Sequence, residues 1–418
     1  MIRPTRGAIV AAAVFFCIYV ALDFNKLWAL RYGADTGTFV QWLALEAHGR
    51  GSWNGAEYRP HLQVHDSWAL LALVPLVAAL PYAQTLLVAQ VAAMAAGGPV
   101  LCSFARACGA RPRAAGSVAY AYLLSPFTQG IAYGNFVENV FVPVVAFAGA
   151  IAARRRSLAG TLVAAQVLLG LKEDEAMFLA WFGVACAAWW DRRIGFAVAA
   201  LAFVNGAGFA IVEHLHGVHP SLPGYALQVD DPRSKLEFFA ALLAPFAFAP
   251  LWLGRALLLG APLVAELTFN RPWAYQIARI GTHWTAPLLA GTALGAAYVI
   301  AKRPRFAGPA VACAALCALT INDTALKIGR WPYVVDRAAY ASATELRTSP
   351  VRVVVPRPAE GVYVVAASNP NVVLAKYRAG EPGYCPAYDT NARAFFASLG
   401  IGAWPPHTAL CGGVPVMR

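Results

Sequence analysis

The residues able to do chemistry fall mostly between long oily runs. The first polar interval, Asp23 to Asp66, reads DFNKLWALRYGADTGTFVQWLALEAHGRGSWNGAEYRPHLQVHD. It carries five carboxylates (Asp23, Asp35, Glu46, Glu57, Asp66) and three histidines (His48, His61, His65). A carboxylate held on a loop against a helical bundle can act as general base toward a hydroxyl. A neutral imidazole can donate to a phosphate or ligate a metal. Asp35 and His65 are the candidates for those two roles. Each also has a plain reading. Asp35 suits the N-cap of a helix beginning at Thr36. That helix would lie along a membrane interface, with Phe39, Trp42, Leu43 and Leu45 apolar and Gln41 and Glu46 polar. His65-Asp66 would be a hydrated pair where the chain re-enters the apolar phase.

Further candidates follow. Glu138 comes after a turn signal in Gly134-Asn135-Phe136-Val137-Glu138-Asn139. Lys172-Glu173-Asp174-Glu175 interrupts two apolar segments. Each such charge would cost about 2.5–3.5 kcal/mol at the centre of a membrane helix. The run is therefore either an exposed turn or a functional group inside a bundle. In the second case Lys172 would meet a phosphate, and Glu173 or Asp174 a metal or a sugar hydroxyl. His283 precedes Trp284, itself a candidate interface anchor. His214, His216 and His219 have loose metal-like spacing, but Gly217 and Pro220 point to an irregular loop. The eight cysteines are scattered without metal-ligand spacing; Cys385 and Cys411 would pair in an oxidising compartment. No phosphate-binding glycine loop, GxSxG, HExxH or dinucleotide fingerprint occurs, so soluble nucleotide chemistry has no support.

The elements that must position these groups are helices in lipid. Of the 418 residues, 59% are hydrophobic and 13% charged, with mean hydropathy +0.54. Soluble domains run near 45–50% apolar and about 25% charged. Apolar runs of about 15–20 residues recur, which predicts a helical multispanning protein. The net charge of +12 does not indicate nucleic acid, because the basic residues form short clusters between apolar runs. Those clusters are Arg3/Arg6, Arg106/Arg111/Arg113, Arg154-Arg155-Arg156, Arg192-Arg193 and Lys302-Arg303-Arg305.

Placing the clusters in the cytoplasm puts the N-terminus inside and the 23–66 loop outside. The N-terminal run reads as an uncleaved first span, since no small-residue cleavage site precedes Asp23. Spans are expected near 7–22, 69–104, 114–132, 140–153, 158–171, 176–190, 194–212, 236–253, 256–269, 285–301 and 306–321. The 69–104 stretch is too long for one span and contains Pro75, Pro81 and Gly97-Gly98; it reads as two helices, and either one of them is re-entrant or the charge rule fails at the Arg106 cluster. The total is about 11–12 spans, in a domain over residues 1–321. With this topology Glu138, Lys172–Glu175 and His283 share the outer face with Asp35 and His65.

From Asn322 to Arg418 the chain is richer in Pro and Gly. Strands are expected at Arg352–Val355, Val362–Ala367 and Val372–Tyr377, with a turn at Asn369-Pro370-Asn371 and a helix near Asn391–Leu399. This is a small extracytoplasmic α/β appendage, marginal as an independent core.

The chain resembles an uncharacterised family of multispanning bacterial and archaeal predicted membrane proteins, similar in layout to the GT-C glycosyltransferases. The matching elements are Asp35…Gln41-Trp42, His65, Pro75…Pro81-Tyr82, Gln90, Pro126, Glu138…Pro143, Lys172-Glu173-Asp174 and His283…Pro287. The family's Asp-Phe-His-Pro-Glu-like motif reads Asn135-Phe136-Val137-Glu138 here, so its histidine is missing and only Glu138 maps. The resemblance implies an all-α polytopic, GT-C-like fold whose first outer loop supplies an essential Asp, here Asp35. It implies a polyprenyl-phosphate sugar donor and, in some such enzymes, a divalent metal ion.

The expected function is sugar transfer at the outer face of a bacterial cytoplasmic membrane. Asp35, His65 and Glu138 would be catalytic; Gln41, Lys172, Glu173, Asp174 and His283 would bind substrate. The partners are membrane lipid and the donor, not nucleic acid. The alternative from another class is a transporter or flippase for a lipid-linked or polar solute, with the Lys172–Glu175 run lining a path.

Overall fold

The computed structural model describes residues 3–80, 82–216, 232–252, 285–321 and 332–375. These residues are overwhelmingly helical, with two short two-stranded sheets. They fall into two compact units: unit 1 is Met1–Tyr19, Gln90–Gly134 and Glu138–Trp331, and unit 2 is Val20–Ala89, Asn135–Val137 and Pro332–Arg418.

Among the described residues, three helices are long and apolar enough to cross a membrane: α1 (Arg6–Trp28), α4 (Ala83–Ala107) and α10 (Arg192–Leu215). Their outward surfaces are oily. Ile9, Val10, Val14 and Ile18 of α1 and Phe196, Phe203, Val204 and Ile211 of α10 are exposed. Only 28% of the apolar window of α10 is buried within the protein. In water that would be a large apolar patch; hydrocarbon removes its cost. The protein is an all-α polytopic membrane protein. The sequence places a loop from Asp23, but α1 runs on to Trp28 and carries a fully buried Asp23 within the helix.

Several expected spans are broken into shorter pieces. The 69–104 stretch divides into a 3-10 turn at Trp68–Leu73, the short α3 (Val74–Ala79) and α4. The 114–132 stretch divides into α5 (Pro112–Leu124) and α6 (Pro126–Tyr133), because Pro126 cannot supply the amide that would continue the ladder. The buried Gln90 side chain then donates to the carbonyls of Ile131 and Ala132 at the freed end of α6, at 2.9 and 3.0 Å. The expected span at 236–253 is α11 (Pro232–Leu243) followed by 3-10 turns. The span at 256–269 lies outside the described residues.

The rest of unit 1 is a set of hairpins. The first is α7 (Val142–Arg154) with α8 (Leu158–Leu169), and the second is α9 (Glu175–Trp189) with α10. Helices α12 (Ala286–Lys302) and α13 (Ala307–Thr320) follow. Ser157 caps α8 through the Gly160 amide, and Asp191 caps α10 through the Arg193 and Ile194 amides at 3.0 and 3.1 Å. Helices α9 and α10 pack backbone to backbone. A Cβ on Gly183 would lie 2.7 Å from the Ala199 nitrogen, so only a small residue permits the approach.

Unit 2 is built on α2 (Ala34–Ala47), which is buried from Thr36 to Leu45. An interfacial helix would expose its polar side; this one instead buries Thr36, Thr38 and Gln41. Strands β1 (Trp53–Asn54) and β2 (Arg59–Pro60) form an antiparallel pair. Toward the C-terminus come α14 (Arg337–Glu345), β3 (Val353–Val355), α15 (Glu360–Ala366) and β4 (Val372–Leu374). Strands β3 and β4 pair in parallel. The expected strand at 362–367 is therefore a helix. A parallel pair needs a crossover, and α15 supplies it despite its β-favouring valines, because all its residues from Gly361 to Ala366 are buried in packing. The expected helix at 391–399 lies outside the described residues.

Candidate functional site

The N-terminus of α2 is closed by groups distant in sequence. Its first residues leave amides without helical partners. Gly33 N–H donates to Asn135 Oδ1 at 3.0 Å, and Ala34 N–H donates to Glu360 Oε2 at 2.9 Å. The Phe136 amide donates to Thr36 Oγ1 at 2.9 Å. Asp35 is not the cap; the helix begins at Ala34 and Asp35 sits in its first turn. There its carboxylate is exposed and accepts a hydrogen bond from Asn135 Nδ2 at 3.1 Å. The position favours negative charge, since helix N-termini carry a partial positive field. Arg357 lies 3.5 Å from the other oxygen of Glu360.

A second polar group in the same unit contains two residues that the sequence does not single out. Glu57 accepts from His61 Nδ1, 3.0 and 3.1 Å from its two oxygens, and lies 3.9 Å from His65 Nε2. Asn54 also donates to Glu57, at 2.5 Å. His61 is buried, stacked at 4.3 Å on Trp42, with its ring 5.2 Å from that of His65. Burial pushes the Glu57 carboxyl up, but the His61 hydrogen bond and the charges of His61 and His65 outweigh it and leave the pKa below its ordinary value. The available signal was the i, i+4 spacing of Glu57 and His61 after a turn. Phe39, one helical turn beyond Asp35, touches both the Phe136 ring at 5.4 Å and the His61 ring at 5.1 Å. It thus packs between Phe136, the neighbour of Asn135, and the His61 imidazole.

Gln41 is buried, and its amide is engaged by the chain itself. Nε2 donates to the carbonyls of Val372 at 2.7 Å and Asn369 at 3.3 Å. Oε1 accepts from the Gly55 amide at 2.5 Å and the Tyr363 hydroxyl at 3.1 Å. Gln41 therefore joins α2, the turn after β1 and the strand β4.

Glu138, Lys172, Glu173 and Asp174 lie in unit 1. Glu138 begins a 3-10 turn and is buried; Lys172 Nζ lies 3.4 Å from its Oε1. Burial works against the lysine's charge, yet Glu138, Asp174 and Glu173 overcome it and raise the Lys172 pKa above the usual value. The Glu175, Ala176 and Met177 amides bond the carbonyls of Lys172, Glu173 and Asp174, each at 3.2 Å. The acidic run thus winds into the first turn of α9, where the helix dipole favours it. Glu173 and Asp174 are half-buried, and Glu175 is buried. The structure thus brings Asp35, Gln41 and His65 into one unit and Glu138, Lys172, Glu173 and Asp174 into the other. His283 lies outside the described residues. Among the described residues, no three His, Cys, Asp or Glu side chains converge in a way that could hold a metal ion.

No curated protein and no solved structure matches the chain. Over residues 26–222, which hold Asp35, His65, Glu138 and Lys172, this protein is similar to the family of predicted membrane proteins DUF2079.

Proposed function

We propose that the protein is an integral-membrane glycosyltransferase of GT-C-like type. It would transfer a sugar from a polyprenyl-phosphate donor to an acceptor at the outer face of a bacterial cytoplasmic membrane. The N-terminus would be cytoplasmic and the chain after residue 321 extracytoplasmic. The observation that carries this reading is the state of Asp35. It is an exposed carboxylate on a helix that is buried from Thr36 to Leu45, and a side chain from far along the chain orients it. An oriented, solvated carboxylate has what a general base toward an acceptor hydroxyl needs. Glu57 and His61 would set the orientation of His65, the more accessible imidazole, for the donor phosphate.

The test is transfer from radiolabelled polyprenyl-phosphate mannose or glucose in vesicles that contain the purified protein. Asp35→Asn is expected to abolish transfer while the protein stays inserted and folded. Full activity in that variant removes the reading.

A transporter or flippase draws support from a different observation, the buried ion pair Glu138–Lys172 in unit 1. It predicts that Lys172→Met blocks solute movement across vesicles while Asp35→Asn leaves it intact.

A further inference from the structure

Unit 1 holds a partly open cavity of about 350 Å³ between α7, α8, α9 and α12. That is near the lower end of the roughly 300–1,000 Å³ typical of small-molecule sites. Its wall is almost wholly apolar, with two charged exceptions, Arg154 and Glu175. Arg154 is exposed at the C-terminal end of α7, where the helix dipole favours its charge. Glu175 is different. It is 2% exposed, and its Oε1 has no hydrogen-bond partner. Leaving a carboxylate oxygen unpaired in such a place is costly. Phe178 and Phe182 also line the cavity. At three and seven residues beyond Glu175, they share its face of α9.

We infer that this cavity binds a lipophilic ammonium, an alkyl or aryl body ending in a protonated amine, with the amine on Glu175. The charge balance selects the cation. Among the described residues, the carboxylates of Glu138, Glu173 and Asp174 lie close to Glu175 and to one cation, Lys172, and that lysine is already held by Glu138. An anion would meet this acidic excess; a neutral alcohol would bring a single donor and no charge. An ammonium supplies the missing donors with charge assistance, and the rings of Phe178 and Phe182 add cation–π attraction. The site stands apart from the sugar-transfer reading, which rests on unit 2.

The experiment uses the full-length protein in lipid nanodiscs, with tritiated dodecylammonium as probe and dodecanol and dodecanoate as competitors. Saturable binding is expected, displaced by unlabelled dodecylammonium but not by either competitor at equal concentration. Glu175→Gln should weaken it at least tenfold. Ala165→Phe, which fills the cavity and keeps the carboxylate, should abolish it in a protein whose melting transition is retained; it serves if Glu175→Gln does not fold. Equal displacement by dodecanol, unchanged affinity in Glu175→Gln or in folded Ala165→Phe, or the lack of saturable binding overturns the inference.

Discussion

Asn135 holds Asp35 from a hundred residues away. Its Nδ2 donates to Asp35 Oδ2 at 3.1 Å while its Oδ1 accepts the Gly33 amide at 3.0 Å. One side-chain amide thereby closes the start of α2 and fixes the carboxylate of its first turn. Replacing it separates two effects. Asn135→Ala loses both bonds and is expected to cost about 0.5–2 kcal/mol, the range for a lost helix cap. Asn135→Asp keeps the acceptor, loses the donor and sets a second negative charge against Asp35. It should therefore melt no lower than Asn135→Ala but reduce sugar transfer more. Denaturation in mild detergent beside the transfer assay checks both; identical transfer by the two variants would count against an orienting role.

The Glu138–Lys172 pair is buried, so breaking it from one side strands a charge. Lys172→Met should destabilise unit 1 by about 3–5 kcal/mol. Adding Glu138→Gln should recover a large part of that loss. A double-mutant cycle on the melting transition measures the coupling. Simple additivity of the two substitutions would show that the side chains do not interact.

Glu57 ties stability to pH. Its folded pKa is depressed below the ordinary 4.5, so its contribution is fully present above that value. It is lost as pH falls through the folded pKa, because only the ionised carboxylate keeps its bonds to His61 and Asn54. Hydrogen exchange at the amides of residues 53–61 should accelerate as pH drops below the ordinary carboxylate range, after correction for intrinsic exchange. Glu57→Gln should flatten that acid limb. A variant with the same acid limb as the unsubstituted protein would assign the effect to another group.

Gly361 faces the Leu30 backbone so closely that an added Cβ would collide with the Leu30 carbonyl. Leu30 itself has φ of 55°, a left-handed conformation, and backbone cannot swing aside as a side chain can. Gly361→Ala is expected to destabilise unit 2 by about 1–3 kcal/mol. Gly308→Ala, where a Cβ meets nothing within 4 Å, is the control. Equal melting temperatures for the two variants would refute the contact.

Much of the helical layout is legible in the sequence because lipid leaves the backbone few choices. Long apolar runs bounded by arginines must satisfy their amides internally, and α1 and α10 follow from that alone. The site is legible only in part. Asp35 and His65 stand out as polar groups in an oily chain, but Glu57 and His61 look like ordinary loop residues until β1 and β2 pair and bring them together. The α15 segment misleads for a related reason. Its valines favour a strand, and only the parallel pairing of β3 with β4 makes a helix necessary there.

By itself the sequence determined that this is a multispanning membrane protein with its charges confined to a few short runs. Hydropathy acts locally, so each run declares its preference for hydrocarbon without reference to the others. Only the tertiary structure decided which polar groups meet. Asn135 reaches Asp35, Glu360 caps α2, Gln41 binds the carbonyl before β4 and that of β4 itself, and Lys172 finds Glu138. Those pairings depend on packing between segments far apart in the chain, and no local pattern of residues encodes them.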